Sequence, residues 1–220
     1  MNFKAVLCLG LVSMFTLLLS ACGSSEADFG GTWSTNVARL TLTQQGTQVG
    51  GLLEGYGDNW RQDVAGTISG NTLTFEGENP LGLRTINLDP GGDTFRSSDP
   101  SLAFCGSRAS ILPAGCGFSG KWYLNAPGLF PSGSYATLQQ DGPSVSGSIF
   151  DANGATLMRV AAEVNWGKGW SARWQGYIMN MASDEKAFQI GLESAPASEW
   201  CGLGEGETSA YVFYFTCALQ

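Results

Sequence analysis

Nineteen carboxylates and not one histidine frame the chemistry open to this chain of 220 residues. Without imidazole there is no Ser-His-Asp or Cys-His relay and no histidine metal site. The sequence also lacks a Gly-x-Ser-x-Gly elbow, a phosphate-cradling glycine loop and a dinucleotide fingerprint. What survives is a pair of carboxylates, as glycoside hydrolysis uses, with one proton held by burial. Asp58 and Asp63 flank Trp60 and Arg61, and Glu163 lies near Trp166. Acids in loops and on strand faces mostly serve solubility, so no catalytic residue is assigned. The turn Asp89-Pro90-Gly91-Gly92-Asp93 offers two carboxylates to calcium but lacks a calcium-loop ladder of ligands, and a β-turn explains it. No cofactor and no metal are expected.

Residues 164–177 carry the strongest binding signal. If Gly167 to Gly169 form a hairpin turn, Trp166 and Trp170 become cross-strand neighbours, and Trp170 and Trp174 share one face. Ser171, Arg173, Gln175 and Tyr177 then supply polar groups on the other face. An exposed row of this kind would suit stacking on sugar rings or on an apolar partner. The alternative is that the rings fill a barrel interior beside Trp122, Phe213 and Phe215.

The first 22 residues speak to location. Lys4 precedes an apolar stretch from Ala5 to Leu19, too short for a comfortable membrane span, followed by Leu19-Ser20-Ala21-Cys22. This stretch resembles the lipobox of bacterial lipoproteins. The resemblance implies cleavage before Cys22, a diacylglyceride thioether on its sulfur, and anchorage to a membrane through acyl chains. Residues 1–21 are then a signal peptide and 22–28 a tether reaching about 20 Å when extended. Gly23 stands where an aspartate would retain such a lipoprotein at the inner membrane, which points to the outer membrane of a two-membrane cell.

Loss of the leader removes only Lys4, leaving 10 basic against 19 acidic side chains, a formal net charge of −9. That balance repels nucleic acid and anionic lipid, so nucleic-acid binding is not expected. Cys8 departs with the leader and Cys22 is consumed by lipid. Cys105, Cys116, Cys201 and Cys217 remain, an even set in an oxidising compartment. Four cysteines allow three pairings. The expected one is local, Cys105 with Cys116 and Cys201 with Cys217, each loop contributing about 3 kcal/mol. Their spacing lacks the close pairs of zinc sites.

The elements that must position these residues are strands. Arg39-Leu40-Thr41-Leu42-Thr43 and Thr72-Leu73-Thr74-Phe75-Glu76 alternate polar and apolar, the period of a sheet with one wet face. Turn signals at Gln45-Gly46, Gly70-Asn71, Asp141-Gly142-Pro143 and Asn153-Gly154 separate such runs. The pattern predicts an all-β antiparallel meander, with residues 97 to 115 the one long irregular stretch.

An internal repeat divides it. Phe29-Gly30-Gly31-Thr32-Trp33 through Asn36 returns 89 residues later as Phe118-Ser119-Gly120-Lys121-Trp122 through Asn125. Leu42-Thr43-Gln44-Gln45-Gly46 through Gly51 is echoed by Leu138-Gln139-Gln140-Asp141-Gly142 through Gly147, and Phe104-Cys105-Gly106 by Trp200-Cys201-Gly202. The repeat implies two related β units, 29–117 and 118–220, closing as two small barrels or merging into one larger barrel or sandwich. Gly31-Thr32-Trp33 and Gly120-Lys121-Trp122 resemble the opening motif of lipocalin and avidin-like barrels, which implies a cup whose tryptophan plugs one end. No residue matches the biotin-contacting positions of avidins.

These readings converge on a lipid-anchored, non-enzymatic β protein of the cell envelope that binds a glycan or small apolar ligand or docks on another envelope protein. The alternatives are a carboxylate-dependent hydrolase of envelope polysaccharide and a barrel-type inhibitor of a protease or muramidase.

Overall fold

A computed structural model describes residues 26–57, 59–76, 83–101, 103–165 and 171–219. Cys22, Asp58, Trp166 and Trp170 lie outside them. The described residues form two closed antiparallel barrels and a separate hairpin. Barrel 1 runs through β1 (Gly31–Thr35), β2 (Ala38–Gln45), β3 (Gln48–Gly55), β4 (Arg61–Ser69), β5 (Thr72–Glu76), β6 (Leu83–Leu88), β7 (Thr94–Ser97) and β8 (Cys105–Ser107). β8 returns to pair with β1, Thr35 facing Gly106. Barrel 2 comprises β9 (Gly120–Asn125), β10 (Tyr135–Asp141), β11 (Ser144–Phe150), β12 (Thr156–Asn165), β13 (Ser171–Trp174), β14 (Tyr177–Met181), β15 (Ala187–Leu192) and β16 (Ala195–Gly204), and closes by pairing β16 with β9. The hairpin is β17 (Ser209–Val212) and β18 (Phe215–Ala218). Of the two arrangements open to the repeat, the chain adopts two separate barrels. Closure removes the edges that a meander would leave unpaired.

Alternation sorts each strand into a wall and a filling. On β2 the buried residues are Ala38, Leu40 and Leu42, with Arg39, Thr41 and Thr43 in solvent. The repeat then builds the same plug twice. The Trp33 indole Nε1–H donates to the Phe29 carbonyl at 2.9 Å, and Trp122 Nε1–H donates to Phe118 at the same distance. Phe95 meets Trp33 edge-on at 5.2 Å, and Phe188 meets Trp122 at 5.0 Å. Glycine makes room for these rings: a Cβ on Gly106 would lie 2.6 Å from the Phe95 ring, and one on Gly202 would lie 2.5 Å from Phe188. These are the glycines of the Phe-Cys-Gly and Trp-Cys-Gly echoes.

The cysteine in each echo points outward and ties down the segment C-terminal to its barrel. Cys105 bonds Cys116 and Cys201 bonds Cys217, the local pairing. The second bond fastens the hairpin to the outer wall of barrel 2, where Ala187, Cys201 and Leu203 bury Ala210, Val212 and Cys217. This covering explains why β15 is buried on both faces.

With a ring packed so tightly against each closing glycine, Gly202→Ala lowers stability by about 1–3 kcal/mol through overpacking. Gly91→Ala, which meets open space, stays within about 0.5 kcal/mol. Urea unfolding monitored by tryptophan fluorescence measures both.

Candidate functional site

A network of polar groups lies where the barrels meet. Gln44 and its repeat partner Gln140 set up the junction. In barrel 1, Gln44 accepts from Phe29 N at 2.7 Å and donates to the Ala27 carbonyl at 3.1 Å, holding the entry of its own chain. In barrel 2, Gln140 accepts from Phe118 N at 3.1 Å, but its amide donates to Asn36 O of barrel 1 at 2.9 Å. Ala103 N donates to Ser183 O at 2.8 Å, and Asn165 Nδ2 donates to Gly57 O at 3.1 Å, so three strand ends of barrel 2 grip barrel 1.

Glu185 sits at the centre of this seam, in the turn between β14 and β15, with a left-handed backbone at φ 57°. Its Oε1 accepts from Gly117 N at 2.6 Å and from Asn36 Nδ2 at 2.9 Å, and its Oε2 lies 3.6 Å from Cys105 Sγ of the disulfide. The residue is only half-buried as a whole, yet the carboxylate end is enclosed by protein. Burial pushes its pKa up to about 7, against the hydrogen bonds from Asn36 and Gly117 and the charge of Arg96, with Asp184 adding to the rise. Arg96 is pinned to the linker, donating to Gly115 O at 2.7 Å and Ala114 O at 3.0 Å. Glu185 also borders a cleft with Lys121, Trp122, Lys186, Glu205 and Glu207. Read from sequence, Ser183-Asp184-Glu185-Lys186 is an ordinary solvated turn; only the approach of barrel 1, across some 150 residues of chain, makes it a buried site.

Trp174 does not stand on an exposed row: it is 2% exposed, inside barrel 2, with Nε1–H donating to Arg159 O and its ring stacked on Tyr177 at 5.2 Å. The reason is the turn at Gln175 and Gly176, both at positive φ, which folds β14 back so that Trp174 and Tyr177 face each other across one rung. Tyr177 thus shares a face with Trp174 and not with Arg173. Arg173 points outward, paired with Glu193 at 3.2 Å, and borders a shallow cleft with Glu163, Asn165 and Gly57 at the seam. Phe213 is not interior either: it occupies the tip of the terminal hairpin, 49% exposed at φ 53°. Asp63 lies on the outer face of β4. The turn after Asp89 closes on itself, with Gly92 N donating to Asp89 O and Thr94 Oγ1 to the Asp89 carboxylate. Among the described residues no three acids or cysteines converge as a metal site would require.

A carboxyl group that holds its proton to about pH 7 in the fold, but releases it near 4.5 in the unfolded chain, stabilises the fold fully below about pH 4.5. That contribution is lost as pH rises from about 4.5 through 7. Glu185→Gln should therefore match the parent at pH 4 and exceed it by about 3 kcal/mol at pH 8, as read from urea unfolding at both values.

Compared with known protein families, characterised proteins and solved structures, the chain matches none.

Proposed function

We propose that this chain is a lipid-anchored protein of the bacterial cell envelope, acylated on Cys22, that works as a non-enzymatic binding or accessory module. The observation that carries the reading is the disulfide pair. All four cysteines among the described residues are bonded, which suits the oxidising compartment to which a lipobox-bearing leader directs a protein. The leader and the staples are independent features of the sequence, and they agree.

The folded part favours recognition over turnover. Two closed barrels give rigid walls and short turns, a scaffold suited to presenting a fixed surface or mouth. The terminal hairpin adds an aromatic surface, with Tyr211 66% exposed beside Phe213 and Tyr214. Ala27 and Asp28 are held on barrel 1 by Gln44 and Arg108, so the free tether is at most residues 22–26, about 17 Å when extended; barrel 1 would work close to the lipid surface, and the outer membrane is the expected site. The partner is a glycan, a small apolar ligand or another envelope protein.

The hydrolase reading has one observation in its favour, the proton-holding Glu185 beside a cleft that Glu205 and Glu207 also border. Against it, Glu185 spends Oε1 on two hydrogen bonds that join the barrels, the work of a structural acid.

Two measurements test these readings. Cys22→Ala is expected to abolish acyl labelling and move the protein from the detergent phase to the aqueous phase on Triton X-114 partition; unchanged partition overturns the anchor. Release of reducing sugar from envelope polysaccharide that disappears in Glu185→Gln, with the fold intact, would replace the binding reading by the enzymatic one.

A further inference from the structure

The interior of barrel 1 contains groups that a packed core does not need. Gln62 faces Leu53 across β3 and β4, and Arg84 faces Phe75 across β5 and β6. Directly paired residues share a face, and Leu53 and Phe75 are core, so both polar side chains point inward. Gln62 is 6% exposed and Arg84 7%. Both polar atoms of the Gln62 amide, and Arg84 Nε, are buried without a hydrogen-bond partner in the protein. Leaving such groups unpaired is costly, so each calls for a partner.

Barrel 2 provides an internal control. Gly51 faces Val64 as its repeat partner Gly147 faces Val160, so Gln62 corresponds to Met158. Leu88 faces Phe95 as Met181 faces Phe188, so Arg84 corresponds to Tyr177. Opposite them, Phe75 stands where barrel 2 has Trp174. One barrel thus fills these positions with a stacked Trp174–Tyr177 pair and a methionine, all packed on the core. The other, built on the same plan, holds a smaller ring, an arginine and a glutamine. Asp99 on the rim acts on Arg84 only through space, and its carboxylate is engaged by Ser101 N and Oγ. Burial pulls the Arg84 guanidinium below its ordinary pKa, with Asp99 opposing.

We propose that the interior of barrel 1 around Gln62 and Arg84 is a binding site for a small apolar carboxylate that carries a hydroxyl or amide near its acid group. Arg84 Nε–H and the Gln62 amide N–H donate to the carboxylate, and Gln62 Oε1 accepts from the ligand's O–H or N–H. The apolar body lies against Phe75, Phe104 and Trp60, all members of the barrel 1 core or packed on it. The inference deepens the reading of the chain as a binding module and is independent of its lipid anchor.

The test is a titration of the exported chain carrying Cys22→Ser, so that no acyl group competes, with 3-hydroxydecanoate and with decanol, followed by calorimetry and tryptophan fluorescence. The acid is expected to bind and the alcohol to bind at least about tenfold more weakly, the value of a charge-assisted hydrogen bond. Gln62→Met and Arg84→Tyr, the residues of barrel 2, should each weaken the acid by about tenfold or more. The same substitutions should raise the melting temperature of the free protein, because they remove unpaired polar groups. No binding of the acid at millimolar concentration, equal binding of acid and alcohol, or affinity unchanged by both substitutions overturns the site. A lowered melting temperature or loss of folding in both variants overturns it too, since the two side chains would then be holding the barrel together. Each of these results leaves acylation of Cys22 and its partition assay untouched.

Discussion

Everything in this fold depends on how an eight-stranded barrel is stopped at one end. A closed sheet of this size has an interior just wide enough for side chains to fill or for one small ligand, and its mouth exposes that interior to water unless something seals it. Here the seal is a tryptophan whose indole is tied back to the carbonyl four residues earlier, Trp33 to Phe29 and Trp122 to Phe118. That hydrogen bond fixes the ring at the mouth and fixes the entering chain across it. The partner phenylalanine and the glycine beneath it are dictated by the ring's position, since any side chain on Gly106 or Gly202 would enter the space that Phe95 or Phe188 occupies. Truncating a buried aromatic of this kind typically costs about 3–5 kcal/mol, a large share of a domain's net stability.

The same constraint explains why the barrels are joined as they are. Gln44 secures the chain that enters barrel 1 by bonding to Ala27. The chain entering barrel 2 comes from the disulfide-tied linker, and Gln140 bonds instead to Asn36. A residue whose local role is to hold a plug has become an inter-barrel contact, and Glu185 completes the seam from the other side. The seam carries a polar network beside the apolar packing that links the two cores, with its hydrogen bonds made chiefly to backbone groups. Such bonds fix the relative placement of the two barrels while contributing modest net energy each.

Much of this was legible in the sequence, for identifiable reasons. Strand alternation is a local property, so β2 and β5 could be read from Leu40, Leu42, Leu73 and Phe75 alone. The repeat exposed the plug, and its cysteines suggested their partners because each echo lies close to one further cysteine. What could not be read depended on closure. Trp174 fitted either an exposed row or the barrel interior, because three tryptophans fall at hairpin spacing; the interior place is fixed by the turn at Gln175 and Gly176, where a non-glycine residue takes positive φ. Glu185 carries no local mark at all. Gln62 and Arg84 do leave a trace, as polar residues on the parity of Val64 and Ile86, but one that acquires meaning only beside Met158 and Tyr177 in the second barrel.

Asn36 and Asn125 occupy the same place in the repeat. In barrel 1 that asparagine is where the next barrel attaches, through its carbonyl to Gln140 and its amide to Glu185. In barrel 2 the corresponding Asn125 amide is taken by the Ala218 carbonyl of the terminal hairpin, at 2.7 Å. One position in the repeat thus serves two kinds of docking, a whole barrel at Asn36 and a hairpin fastened by one disulfide at Asn125. Each barrel offers the same asparagine to the segment that follows it, and what that segment is decides whether the contact joins two barrels or covers the wall of one.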